Sequence, residues 1–166
     1  MDGSLSVMHL AQLNIAHLRA PIDGPELAEF VALLEPINTI ADEAPGFVWR
    51  LKESQQDPTA TVIHDYGDHL LVNFSVWESL ETLWNYAYRS AHLGVLRRRR
   101  EWFLRMAEPY MVMWWVPEGH IPTLAQGMER LERLKAHGPS PEAFTFKDSY
   151  DSSEAANLPA AAEARK

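Results

Sequence analysis

Two hydrophobic periods take turns along this chain, one of two residues and one of three to four, and their order restricts the fold more than any other feature. Residues 8–18, MHLAQLNIAHL, set Leu10, Gln12, Asn14 and Ala16 on one side and Leu13 and Ile15 on the other, which is the period of a strand. Pro21, Asp23, Gly24 and Pro25 interrupt it. From Glu26 the apolar residues Leu27, Phe30, Val31, Leu34, Ile37 and Ile40 fall at helical spacing, with Pro36 as a kink. Ala44-Pro45-Gly46 ends that helix, and Phe47 to Lys52 alternates as a second strand. Residues 53–69 are polar and read as a long loop or an irregular hairpin. Leu70 to Trp77, LLVNFSVW, is a dense strand signal. Ser79 caps a helix expected to reach toward Met106 with a bend near Gly94. Tyr110 to Val116, apolar on both faces, reads as a central strand. Pro122 opens a third helix with Leu124, Met128, Leu131 and Leu134 as its buried stripe, and Ala143 to Phe146 reads as a short edge strand.

The order β-α-β-β-α-β is the split βαβ, ferredoxin-like pattern: an α+β fold with an antiparallel sheet, here with an extra C-terminal helix and short strand. A chain of 166 residues suits one domain, placed at 8–147. Residues 148–166 carry no periodicity and are expected to be a disordered tail. Two helices cover one sheet face only. The other, rich in Trp and Met, is expected to need a ligand or a partner.

Composition removes several chemistries. The chain has no cysteine, which excludes thiol nucleophiles, cysteine-ligated zinc and iron–sulfur clusters. A net charge of −8 argues against nucleic acid as a partner, since neutralising phosphates requires a basic surface. No apolar run approaches the roughly 20 residues that span a bilayer, and no signal pattern opens the chain, so no membrane partner and a cytoplasmic location are expected. There is no HExxH, no His-x-His and no carboxylate cluster at metal spacing, so no metal site is expected. A glycine-rich phosphate loop and a GxSxG elbow are also missing.

What remains is a stripe. Tyr88, His92, Val95, Arg99 and Trp102 are spaced by four, three, four and three, with Trp84 one turn earlier. Such a mixture suits the wall of a partly polar pocket, although Trp84 and Trp102 could equally fill a core. His92 is the candidate proton carrier and Arg99 the candidate anion holder. Asn14, a polar residue inside a strand pattern, is a candidate for orienting a ligand. His120, in the Gly119-His120-Ile121-Pro122 turn ahead of a helix N-terminus, is a candidate for contacting an anion. Six tryptophans point first to core and interface packing, and second to a flat apolar cavity for an aromatic small molecule.

The runs SVWESLETLWNYAYRSAHLGVLRRRREWF (75–103), MWWVPEGHIPT (113–123) and GPSPEAFTF (138–146) resemble the DUF3291 domain family, which is grouped with the dimeric α/β barrels. Trp77, Glu78, Ser79 and His92 are similar in arrangement to the antibiotic-biosynthesis monooxygenases of that superfamily. The resemblance implies a homodimer in which two sheets close into a barrel, with a cavity between sheet and helices in each subunit. It leaves three functions open. The first is an oxygenase or related enzyme acting without cofactor on a bulky aromatic molecule, with His92 and Arg99 catalytic and Asn14, Trp84, Tyr88, Trp102 and His120 binding substrate. The second is a non-catalytic small-molecule-binding or structural dimer. The third is a haem protein with His92 as axial ligand, since superfamily relatives hold haem in the same cavity.

Overall fold

The computed structural model describes residues 7–21, 24–51, 62–64 and 70–156. Its strands are β1 (Met8–His17), β2 (Phe47–Arg50), β3 (Val62–His64), β4 (Leu70–Trp77) and β5 (Met111–Pro117). A 3₁₀ turn at Pro25–Leu27 leads into α1 (Ala28–Glu43), which runs through Pro36. After β4 come α2 (Leu80–Arg89), α3 (His92–Arg97) and α4 (Arg99–Trp102); α5 (Leu124–His137) follows β5, and α6 (Ser152–Ala156) ends the described chain. Neighbouring strands are antiparallel in the order β2-β4-β1-β5, with β3 also paired to β4. This is the ferredoxin-like α+β fold.

Within the polar segment 53–69, read as a long loop or an irregular hairpin, β3 pairs antiparallel with β4, Val62 to Val72 and His64 to Leu70, in keeping with the hairpin; the rest of that segment lies outside the described residues. Other expectations change. The tryptophan-rich β5 is an edge of the four-strand path rather than a central strand. It reads as central because both of its faces are covered, and the bridge between Met113 and Phe144 shields its free edge. The helix expected to reach Met106 is three short helices, broken first at Ser90 and not at Gly94. Residues 148–156 of the expected tail pack onto the domain: the Trp115 indole donates to the Tyr150 carbonyl at 2.8 Å, and the Tyr150 ring lies 5.9 Å from Phe144. Residues 157–166 lie outside the description.

The largest correction concerns the second sheet face. Strand register places Ala11, Leu13, Ile15, Val72, Phe74, Val76, Val112, Trp114 and Val116 on it, and all are buried within this one chain. The cover is α5, whose Leu131 and Leu134 join the same apolar cluster. Sequence periodicity identifies α5 but not where it lies, so the face was expected to be bare. Gly127 lets α5 approach closely. A methyl group there would sit 3.4 Å from Leu13, 3.4 Å from Trp114 and 3.6 Å from Phe74, so alanine fits and a larger side chain does not. Gly127→Ala is therefore expected to be neutral or stabilising, because it gains helix propensity of up to about 1 kcal/mol. Gly127→Leu is expected to lose about 1–3 kcal/mol through overpacking. Urea midpoints of the two variants check both signs.

Candidate functional site

The opposite sheet face carries polar residues at its centre. Pairing sets Gln12 opposite Ser75 and Asn14 opposite Asn73, all four pointing toward the layer of α1 to α4. Gln12 Nε2 donates to Asn73 Oδ1 and to Ser75 Oγ, each at 2.8 Å. Asn14 Nδ2 donates to Gln12 Oε1 at 3.0 Å, and the Trp77 indole donates to Ser75 Oγ at 2.9 Å. Helices cannot seat an apolar stripe on such a surface, and the two layers part over it. The result is a cavity of about 190 Å³, with Phe30, Leu34, Leu71 and Val95 among its apolar walls. Asn73 lies in mid-sheet yet is exposed, because its accessible surface faces this cavity.

His92 enters through the break after α2. Ser90 takes an extended backbone (φ −113°, ψ −177°), its hydroxyl donates to the Tyr86 carbonyl, and the His92 N–H donates back to Ser90 Oγ at 3.1 Å. Ending α2 there leaves the Ala87 carbonyl without a helical donor. The His92 ring supplies one, with Nδ1 3.1 Å from that oxygen. Nδ1 therefore carries the proton, and Nε2 is left as an acceptor. Burial pulls the His92 pKa below its ordinary value and outweighs the Ala87 bond, which raises it. The imidazole is neutral at pH 7. Its ring also lies 4.8 Å from that of Tyr86, which stacks on Trp77 at 5.0 Å. Burial pushes the Tyr86 phenol up, and burial, followed by Tyr110, raises that of Tyr88; both stay protonated at neutral pH.

Arg99 lines the same cavity, its guanidinium 4.5 Å above the Tyr110 ring, and pairs with no carboxylate among the described residues. Its neighbour Arg98 is engaged elsewhere, bonded to Glu101 at 2.8 Å and to Glu29 on α1. Of the residues singled out from sequence, His92, Arg99, Asn14 and Tyr88 meet in this one space. Trp84 does not line it: the indole is 41% exposed and lies 4.3 Å from the Tyr88 ring. Trp102 does not line the cavity: it is buried against Phe30 and under Arg98. His120 is exposed in the turn after β5, away from the cavity. Sequence reasoning missed Asn38 and Tyr86. The available signal for Asn38 is a single amide at helical spacing between Leu34 and Ala41.

Among the described residues no three histidines or carboxylates gather as metal ligands, and no helix is long and apolar enough to cross a membrane. The chain matches, over residues 9–160, the family model described as a domain of unknown function, DUF3291. It belongs to that family. No protein in the curated collection matches it. Among solved structures it is similar to a putative antibiotic biosynthesis monooxygenase from Nitrosomonas europaea, with 14% identity and a TM-score of 0.40. That match covers 72% of this chain and 98% of the other. At such a distance the likeness carries no function or site across.

The lowered His92 pKa links the site to stability. Between the folded pKa and the unfolded value near 6.5, the unfolded chain binds the proton that folded His92 refuses, so stability falls as pH drops through this window. Above the unfolded value the effect vanishes. The expected outcome is that His92→Gln loses less stability than the wild type between pH 7 and pH 5, read from denaturant midpoints at each pH.

Proposed function

We propose that the protein is an enzyme that binds an aromatic phenol or an enolisable aromatic ketone in this cavity and deprotonates it without a bound metal or flavin. His92 Nε2 takes the proton, and Arg99 holds the resulting anion. One observation carries this reading: a neutral imidazole with a free acceptor nitrogen shares a cavity with a guanidinium that has no carboxylate among the described residues. A ligand anion supplies the missing counter-charge. In the oxygenase form of the reaction the carbanion combines with dioxygen, and a ring methylene becomes a carbonyl with loss of water. The chain's own part is to bind, orient and hold the proton on His92.

Volume narrows the ligand. An engineered cavity of about 150 Å³ takes benzene, so about 190 Å³ supports one or two rings rather than a bulky polycycle. A porphyrin is larger than this space. That favours the small aromatic over haem. A homodimer belongs to the same proposal, with one constraint. Closing sheet on sheet would require α5 to leave Leu13, Phe74 and Trp114, so the buried state of these residues argues against that closure.

Titration with para-nitrophenol, whose anion alone is yellow, tests the site. The wild type is expected to bind it as phenolate, and Arg99→Gln to weaken binding about tenfold or more, as for loss of a charged hydrogen-bond partner. His92→Gln is expected to retain phenolate binding and to lose oxygen uptake with a panel of enolisable one- and two-ring ketones. Binding without turnover in the wild type would leave a binding protein; failure to bind any phenol would overturn the proposal.

A further inference from the structure

One group in the cavity wall is left unexplained by the phenol and its proton. The Asn38 side-chain nitrogen on α1 is buried and has no hydrogen-bond partner among the described residues. A buried amide donor without an acceptor costs roughly 1–3 kcal/mol, so a native site that keeps one has a use for it. Asn38 lines the main cavity and also a side pocket of about 30 Å³ beneath it. Asn73, Ser75 and Tyr86 share this position, lining both spaces.

The hydrogen-bond inventory at that junction is one-sided. Asn73 spends its oxygen on Gln12, which leaves its amide hydrogens free. Ser75 Oγ accepts from both Gln12 and Trp77, so its remaining capacity is the hydroxyl hydrogen. Tyr86 is held in the phenol form by burial and has an O–H to give. Asn38 adds a fourth donor. None of the four has an acceptor among the described residues. A carboxylate or phosphate would need a counter-charge; these four donors are neutral, and Arg50, which also lines the side pocket, is bonded to Asp42 at 2.7 Å. A carbonyl oxygen needs none and accepts two hydrogen bonds.

We propose that the junction of Asn38, Asn73, Ser75 and Tyr86 is a subsite for a neutral carbonyl oxygen of the ligand, separate from the Arg99 position that takes the ionised oxygen. The ligand is then an aromatic compound bearing both an acidic hydroxyl and a carbonyl group. This rests on the phenol-binding reading above and deepens it.

The matched pair para-hydroxyacetophenone and para-ethylphenol, which differ by a carbonyl in place of a methylene, tests the subsite by calorimetric titration. Wild type is expected to favour the ketone, whose para-acyl group also makes its phenol the more acidic of the two. Asn38→Ala is expected to cut that preference about tenfold, the scale of one net buried hydrogen bond, while para-ethylphenol binds as before, which also shows that the variant is folded; the acidity difference is the same for both proteins and cancels in this comparison. The carbonyl stretch of the bound ketone should move to lower frequency in wild type and return toward its free value in Asn38→Ala. Equal affinity for the two ligands in wild type, or a preference unchanged in Asn38→Ala, would overturn the subsite and leave the phenol site standing. Failure of both ligands to bind would overturn the two readings together.

Discussion

Everything in the functional half of this fold depends on a hydrogen-bonded row of side chains across the two central strands. Gln12, Asn14, Asn73 and Ser75 occupy the middle of a sheet, where apolar residues normally seal against helices. They hold one another in place: Gln12 donates to both Asn73 and Ser75 and accepts from Asn14, and the donors left over border the cavity. Sealing those leftover donors under an apolar helix face would cost several kcal/mol in a low-dielectric interior. The row is therefore unable to pack against Leu or Phe. The helical layer therefore stands off at this point, and the gap is the cavity.

The other sheet face follows the opposite rule and makes the standoff affordable. Leu13, Phe74, Val112 and Trp114 are fully apolar and lie under α5, with Gly127 removing the one side chain that would hold the helix away. Burying each of these residues contributes about 1.5–3 kcal/mol. The sheet is thus anchored from one side and left free to carry polar groups on the other. A fold with helices on one face alone would have to take its stability from the same face that carries its site.

The sequence made the elements legible and their mutual positions only partly so. Period-two and helical spacing place β1, α1, β4, β5 and α5 within a few residues of where they lie. The stripe Tyr88, His92, Val95 and Arg99 does converge on one cavity, although the helix that suggested it is broken twice. Failures came where a local pattern has two tertiary solutions. An edge strand covered on both faces reads like a central one, as β5 did. Trp102 shares the stripe's spacing, yet after the second break, at Arg98, it packs against Phe30 in the core. His120 has the chemistry of a site residue but only the environment of an exposed turn. Asn38 and Tyr86 carry no signal beyond ordinary amphipathic helices, because what marks them is the absence of a partner in three dimensions.

The break at Ser90 shows how a structural necessity becomes a chemical one. A continuous helix would satisfy the carbonyls of Tyr86 and Ala87 with backbone donors and would leave His92 free to choose either tautomer. Stopping the helix after Arg89 strands those two carbonyls. The Ser90 hydroxyl takes the first and the His92 ring takes the second. The repair of a helix end thus fixes the imidazole proton on Nδ1, and burial keeps the ring neutral. Glycine at position 90 would allow the same turn with no hydroxyl for the Tyr86 carbonyl or for the His92 N–H. Serine supplies both bonds, and in doing so it ties the orientation of the one imidazole that lines the cavity among the described residues to the backbone rather than to another titratable side chain.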